Sequence, residues 1–243
     1  MRIHILKNYE ELSKKAAEII KSQIVLKDDS VIGFATGSTP LGTYKELINM
    51  HKEGLDFSNI TTFNLDEYYG LPASDVNSYH YFMYSNLFDH INVSKKKVHI
   101  PDGEVKDVDK FCKDYEGNIA KAGGIDLQIL GIGKNGHIGF NEPDDNMDVP
   151  THLTDLTEGT INANSRFFDS IDQVPKQAIT MGLGTIMKSK RILLLASGED
   201  KAEIIEKMLK AQVVTTNIPA SFLFLHNNVD ILVDEKAASL MER

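Results

Sequence analysis

The sequence has 243 residues, a formal net charge of -9 and 42% apolar residues. This length allows one large α/β domain or two small ones, each with a real core. The acidic balance argues against nucleic acid as the main partner, because phosphate backbones call for a basic surface. Cys112 is the single cysteine, which excludes a disulfide framework and a cysteine metal cluster. The N-terminus lacks a signal-peptide pattern and no apolar run reaches membrane length, so we expect a cytoplasmic protein without a membrane partner.

Short apolar runs alternate with helical patterns along the whole chain. Strands are predicted over residues 2–6, 30–35, 61–65, 98–100, 125–130, 178–181, 191–196 and 229–233. Helices are predicted over residues 9–25, 41–51, 77–88, 107–122 and 199–210, with a short helix after 182–185. Residues 151–164, which are rich in Thr and Asn, are predicted as loop or edge strand. The alternation predicts a single α/β domain over residues 1–243, with a mainly parallel sheet covered by helices on both faces.

Small or polar residues directly follow four of the predicted strands. They occupy positions 36–39, 66–67 and 135–142, and a fourth set consists of Ser197 and Gly198 with Lys201. Because the carboxyl ends of parallel strands lie on one edge of a sheet, we expect these groups to converge there.

The first of these groups is a candidate phosphate cradle. It consists of Thr36, Gly37, Ser38 and Thr39. Backbone N–H groups and hydroxyls at a helix N-terminus favour an anion, although the Gly-Lys-Ser/Thr ending of a Walker loop is missing. The alternative is an ordinary Ser/Thr helix cap, and the sequence leaves both open. Arg166 and Lys201 would complete a phosphate site, although each alone is more often a solvated surface charge.

Residues 131–143 form a glycine-rich loop that carries His137, Glu142 and Asn135. A histidine titrates near neutrality and a carboxylate can orient it, so His137 and Glu142 suit a proton-transfer pair. The alternative is a surface turn with an incidental histidine. The Gly-x-Gly-x-x-Gly spacing matches a dinucleotide loop only weakly, because Asn-Glu-Pro and not a helix follows.

Asp66 and Glu67 are adjacent carboxylates at the end of a predicted strand. They suit a base with an orienting group, or a solvated turn. Successive side chains of a strand point to opposite faces, so only one of these two carboxylates is expected to face a pocket. A metal role for either is a weaker hypothesis, and a zinc site is disfavoured because His137 has no second histidine at ligand spacing.

Six stretches of the sequence together resemble the glucosamine-6-phosphate deaminase (isomerase) family. They are ATGSTP at 35–40, TFNLDEYYGL at 62–71, SYHYFM at 78–83, LGIGKNGHIGFNEP at 130–143, NSRFF at 164–168 and VPKQAITMGLGTI at 174–186. DEY and GHIGFNEP together are specific, whereas ATGSTP is shared with the 6-phosphogluconolactonases. The resemblance covers nearly the whole chain and implies a Rossmann-like three-layer sandwich that acts on an aminosugar phosphate, with no cofactor and no metal.

The resemblance also implies a role for each candidate residue. Asp66 is the base that takes the C2 proton of the opened sugar and returns it at C1. His137 handles the ring oxygen during ring opening, with Glu142 as its neighbour in the relay. The resulting imine is hydrolysed to fructose 6-phosphate and ammonium. The phosphate-binding positions are Thr36, Gly37, Ser38, Thr39, Arg166 and Lys201.

The sequence departs from the family pattern in two places. Some members carry Asp where this chain has Asn135, which can hydrogen-bond but cannot ionise, so His137 is expected to hold its proton less firmly here. Longer members have a C-terminal extension that forms an allosteric site, and this sequence ends at Arg243. We therefore expect effector-independent kinetics, and a monomer is favoured over a homo-oligomer.

Two other functions remain as alternatives. A 6-phosphogluconolactonase would use the same phosphate and histidine loops, but it needs no base for a C–H proton, so Asp66 argues against it. A sugar-phosphate sensor of transcription regulators would need a DNA-binding module, which is disfavoured by the strand that begins at Arg2. In the enzyme, we expect part of residues 151–173 to act as a mobile lid that carries Arg166.

Overall fold

A sheet of seven strands lies at the centre of the structure, a computed structural model that describes residues 1–211 and 213–241. The strands, in chain order, are β1 (Arg2–Leu6), β2 (Val31–Phe34), β3 (Thr61–Asn64), β4 (Asp66–Tyr68), β5 (Val98–His99), β6 (Leu127–Leu130), β7 (His152–Asp155), β8 (Gln177–Thr180), β9 (Ile192–Ala196) and β10 (Val229–Asp234). The α-helices are α1 (Tyr9–Leu26), α2 (Leu41–Lys52), α3 (Tyr79–Asn86), α4 (Val108–Lys121), α5 (Glu158–Asn164), α6 (Leu183–Met187) and α7 (Ala202–Ala211).

The central sheet has the strand order β1-β10-β9-β6-β2-β3-β5, and every neighbouring pair runs parallel. Parallel neighbours cannot be joined by a tight turn, which is why helices alternate with these strands along the chain. All five residues of β9 are apolar and at most 1% exposed, as expected for a strand buried on both faces. The predicted mainly parallel α/β sheet is confirmed.

Helices cover both faces of this sheet, as two neighbouring strands demonstrate. Phe34 of β2 packs against Tyr44 of α2, with ring centroids 5.7 Å apart. Phe63 of β3 packs against Tyr115 of α4, with centroids 5.6 Å apart. Phe63 pairs with Gly33, so the next residue, Phe34, points to the opposite face. The predicted three-layer arrangement is therefore confirmed, and no helix in the described ranges is both long and apolar enough to cross a membrane.

A second sheet, with the antiparallel order β4-β8-β7, does not follow from the sequence pattern. The strand predicted over 61–65 ends at Asn64, and the chain leaves the central sheet after Leu65, whose N–H still donates to the Phe34 carbonyl at 3.0 Å. Asp66 then begins β4, where it pairs with Thr180 of β8. Asp66 thus lies in a short outer strand of the second sheet and not in a loop.

Residues 151–164 contain both an edge strand and a helix. β7 is an outer strand of the small sheet, as predicted. The prediction of loop or strand is wrong for residues 158–164, which form α5, capped by a hydrogen bond from the Thr160 N–H to the Thr157 side chain. The helix spans only about two turns and contains Gly159, so its sequence carries no helical periodicity long enough to recognise.

Candidate active site

Four loops that carry the candidate residues emerge at one edge of the central sheet. They follow β9, β6, β2 and β3, which are consecutive neighbours in the strand order. Because these strands are parallel, their carboxyl ends lie side by side, the usual ligand-binding edge of an open α/β sheet. The strand order therefore brings together the groups that the sequence analysis placed there.

Asp66 is a buried carboxylate that faces the histidine loop. It is 6% exposed, and its carboxylate makes no hydrogen bond to the residues that the structure describes. A Cβ atom added to Gly139 would lie 3.6 Å from Asp66 Oδ2, so the carboxylate lies close to the bare backbone of that loop. Burial, with a smaller contribution from the negative charge of Glu67, raises the pKa of Asp66 to about 8. Such a carboxyl can exchange a proton near neutral pH.

Glu67 points away from Asp66 and holds the start of α3. Its carboxylate accepts hydrogen bonds from the N–H groups of Tyr79 and His80, each at 2.8 Å, and from the N–H of Tyr68. Burial raises the pKa of Glu67 to about 7, although these three donors favour the charged form. The prediction that only one of the two adjacent carboxylates faces the pocket agrees with this geometry.

Asn135, His137 and Glu142 form one hydrogen-bonded group. His137 Nδ1 lies 3.3 Å from Glu142 Oε2, and Asn135 Nδ2 donates to the same oxygen at 2.6 Å. The His137 N–H also donates to Asn135 Oδ1 at 3.2 Å, which fixes the orientation of the amide. The imidazole therefore has Nδ1 directed at a carboxylate, and Nε2 is left for a ligand.

Three donors keep Glu142 ionised although it is only 8% exposed. Burial alone would raise the pKa of Glu142, but hydrogen bonds from His137, Thr160 and Asn135 lower it below its ordinary value. The Thr160 hydroxyl donates to Oε1, the oxygen that the other two donors leave free. Because Thr160 belongs to α5, this helix is attached directly to the group formed by Asn135, His137 and Glu142.

The loop glycines allow the close approach of these groups. A Cβ atom on Gly133 would lie 2.3 Å from His137 Cε1, so only glycine leaves room for the imidazole. Gly139 has φ of 59°, and its Cβ atom would approach the Thr180 hydroxyl to 2.9 Å. Asn141 Nδ2 anchors the end of the loop by donating to the Ile138 carbonyl at 2.8 Å and the Met181 carbonyl at 2.9 Å.

The candidate phosphate cradle lies directly before α2, but its hydroxyls do not cap that helix. The helix begins at Leu41 after Pro40, and its N-terminus has no side-chain cap from that position. The hydroxyls of Ser38 and Thr39 make no hydrogen bond within the described part of the chain, while the Thr36 side chain lies near the Tyr79 hydroxyl. The alternative of an ordinary Ser/Thr cap is therefore wrong, and these two hydroxyls remain available to a ligand.

A cavity of about 500 Å³ adjoins the cradle. It is lined by Tyr9, Ser38, Thr39, Leu41, Gly42, Lys45 and Ser197. Ser197 belongs to the loop after β9, and its Oγ donates to Asp234 Oδ2 at 2.5 Å. The loops after β2 and β9 therefore face a common space, although β6 lies between their strands.

Other positively charged side chains lie near Lys201, in the loop after β9. Burial lowers the pKa of Lys201, whereas the negative charge of Asp200 raises it. The positive charges of Lys134 and Arg166 lower it further. Lys134 Nζ lies 3.5 Å from Asp200 Oδ2. Arg166 stacks over the ring of Phe167 at 4.7 Å from the centroid. Two of the predicted phosphate ligands, Arg166 and Lys201, thus lie near each other, and Lys134 adds a third cation that sequence analysis missed.

Two further residues of the site were missed. Thr160 could have been suspected only from the Thr-x-x-Thr spacing that caps α5. The Tyr79 hydroxyl lies near the side chains of Thr36 and Tyr68, and Tyr68 in turn lies near Asn164 of α5. Nothing in the sequence pairs these positions, because the contacts depend on how α3 and α5 pack. Among the residues described, no three His, Cys, Asp or Glu side chains are arranged to hold a metal ion.

Comparison with known proteins gives close relatives over the full length. The chain is 60% identical to the glucosamine-6-phosphate deaminase of Thermoanaerobacter sp. (strain X514), over 99% of this chain and 95% of that protein. It is 57% identical to the glucosamine-6-phosphate deaminase of Halothermothrix orenii, over 99% of this chain and 100% of that protein.

Solved structures agree with this relationship. A structure described as a monomeric glucosamine-6-phosphate deaminase matches with a TM-score of 0.96 and 49% identity, over 99% of this chain and 100% of the other. The 6-phosphogluconolactonase from Trypanosoma brucei shares the fold, with a TM-score of 0.78 at 21% identity, over 99% of this chain and 98% of the other. Residues 7–232 match the profile of the family described as glucosamine-6-phosphate isomerases/6-phosphogluconolactonase. The chain therefore belongs to the glucosamine-6-phosphate isomerase/6-phosphogluconolactonase family.

Proposed function

We propose that this protein converts glucosamine 6-phosphate and water to fructose 6-phosphate and ammonium, acting as a glucosamine-6-phosphate deaminase. The observation that carries the proposal is the buried carboxylate of Asp66, which forms no hydrogen bond to the described residues and lies close to the histidine loop. Relatives at 57% to 60% identity, matched over at least 95% of their length, carry the same name. A lactonase would have no C–H proton to remove and no need for such a base.

Ring opening is assigned to His137. Its Nε2 takes the proton of the C1 hydroxyl and passes it to the ring oxygen, which breaks the C1–O5 bond and leaves an aldehyde at C1. Glu142 stabilises the charged imidazole through Nδ1. The donors Asn135 and Thr160 hold Glu142 in its ionised form and in a fixed position.

Isomerisation and deamination follow at C1 and C2. Asp66 removes the C2 proton, and the electrons of the C–H bond form the double bond of an enolamine while the substrate's ammonium group gives a proton to the C1 oxygen. Asp66 then returns its proton to C1, so the double bond moves to C2–N and gives a protonated imine. Water adds to this imine and ammonium leaves, which yields fructose 6-phosphate.

The phosphate group is assigned to the loop after β2. Thr36, Gly37, Ser38 and Thr39 offer backbone N–H groups and hydroxyls at the start of α2, and Lys201 and Arg166 add positive charge. We also infer that part of residues 151–173 acts as a lid, because this segment carries both Arg166 and the α5 contact to Glu142. A monomer is proposed, since the 49% identical structure is described as monomeric.

A coupled assay for fructose 6-phosphate and ammonium tests the function. Wild type is expected to release both from glucosamine 6-phosphate in equal amounts, and Asp66→Asn is expected to release neither. Asp89→Asn serves as the matched control, because Asp89 is exposed and makes no hydrogen bond through its side chain to the described residues. Full activity of Asp66→Asn would overturn the assignment of the base. Hydrolysis of 6-phosphogluconolactone by a protein that releases no ammonium from glucosamine 6-phosphate would overturn the proposed function.

A further inference from the structure

The hydroxyl of Tyr9, which takes no part in the proposed chemistry, bridges the phosphate cradle and α2. Tyr9 is the first residue of α1, and its hydroxyl donates to the Ser38 carbonyl at 3.1 Å. The same hydroxyl accepts a hydrogen bond from the Gly42 N–H at 2.7 Å. One side chain from a different helix therefore holds the cradle on one side and the first turn of α2 on the other.

This contact supplies a cap that α2 lacks from its own sequence. The first four N–H groups of a helix have no partner within the helix and need one from elsewhere. Pro40 at the cap position offers no side-chain acceptor, and Tyr9 provides one for Gly42. Because the tyrosine fills this role, the hydroxyls of Ser38 and Thr39 are not needed to cap α2 and stay available to a ligand.

The packing of α1 against α2 makes the bridge possible. A Cβ atom on Gly42 would lie 2.2 Å from Ser13 Oγ and 3.0 Å from Tyr9 Cζ. Both distances are too short for a side chain at this position. Gly42 therefore allows α1 to approach closely enough for the phenol ring of Tyr9 to reach beneath the cradle.

We propose that Tyr9 is a positioning residue for phosphate binding. By fixing the Ser38 carbonyl and the Gly42 N–H, it holds the cradle in its ligand-binding shape before the ligand arrives. A loop fixed in advance loses less conformational entropy on binding, so affinity is gained without any direct contact between Tyr9 and the phosphate. The inference rests on the proposed function in that the bound phosphate belongs to the substrate.

The test compares Tyr9→Phe with wild type, using inorganic phosphate as the probe. The variant keeps the ring and loses only the bridging hydroxyl. We expect the dissociation constant of phosphate, measured by calorimetry, to rise about fivefold, the size of one lost neutral hydrogen bond. The KM for glucosamine 6-phosphate should rise by the same factor, with kcat within about twofold of wild type. Tyr81→Phe is the matched control, because Tyr81 is 43% exposed and its hydroxyl bonds to none of the described residues.

A merely structural role for Tyr9 gives a different result. A lower Tm with unchanged phosphate affinity and KM would overturn the proposal, as would a fall in kcat at constant KM. Wild-type protein that binds no phosphate would overturn it too. If wild type binds phosphate and Tyr9→Phe weakens that binding, but no ammonium is released from glucosamine 6-phosphate, the proposed function fails while the role of Tyr9 stands.

Discussion

Replacement of Asp66 by asparagine is expected to stabilise the fold at neutral pH while it removes activity. The carboxyl has an ordinary pKa of 3.8, which burial and Glu67 raise to about 8 in the folded protein. Between these values the folded state holds a proton that the unfolded state has lost. Stability therefore falls as pH rises through this window, by about 1.4 kcal/mol per pH unit. At pH 7 this cost reaches about 4 kcal/mol as an upper bound, and the neutral amide of asparagine avoids it.

Urea unfolding of wild type and Asp66→Asn at several pH values measures this cost. The variant should be the more stable protein, and its advantage should increase with pH between about pH 5 and pH 8, where the charge states of the folded and unfolded carboxyl differ. Asp89→Asn, at an exposed position, should show no such trend. An advantage that does not change with pH, or a variant less stable than wild type at pH 7, would refute the argument that Asp66 is held in a destabilising environment.

The remaining predictions concern the charge on the two carboxylates of the site. Because Asp66 must be ionised to act as a base, kcat/KM of wild type should rise with pH and level off above about pH 8. A value of kcat/KM that does not change as the pH rises to about 8 would contradict this prediction. Asn135→Asp places a second carboxylate where the amide now donates to Glu142 at 2.6 Å, so one of the two acids should keep its proton to a higher pH, and the acidic limb of the pH–rate profile, which Asp66 alone sets in wild type, should become steeper; superimposable profiles would exclude this. Thr160→Val removes the donor to Glu142 Oε1 and should lower kcat/KM about tenfold, whereas Thr62→Val, which removes a buried hydroxyl without a partner, should leave kcat/KM unchanged.

The parts of the fold that follow from the sequence are those set by local pattern. The apolar stripe of α1 recurs with helical spacing, and Asn8 caps the helix by accepting from the Glu11 N–H at 2.9 Å. The continuous apolar run of β9 reads as a strand buried on both faces. The convergence of the candidate residues follows from one rule about parallel sheets, so most of the site could be predicted without knowledge of the strand order.

The parts that do not follow depend on contacts between distant segments. β4 exists because Asp66 pairs with Thr180, more than a hundred residues away, and the three residues of β4 carry no period of their own. α5 is too short and too rich in poor helix formers for its pattern to be recognised. The bridge from Tyr9 to the cradle is likewise invisible in the sequence, because it arises from the packing of α1 on α2.

The structure also gives a physical reason why two carboxylates in one site have different proposed roles. Asp66 and Glu142 are both nearly excluded from solvent, at 6% and 8% exposure. Asp66 has no donor among the described residues, so burial raises its pKa, whereas Glu142 has three donors that lower its pKa. Opposite shifts in neighbouring acids separate a group that exchanges protons from one that stays charged. An asparagine at position 135 strengthens this separation, because its amide donates to Glu142 where a second carboxylate would repel it. In the proposed mechanism, Glu142 is therefore the fixed charge that supports His137 at neutral pH, and Asp66 is the carboxylate that exchanges a proton with the sugar.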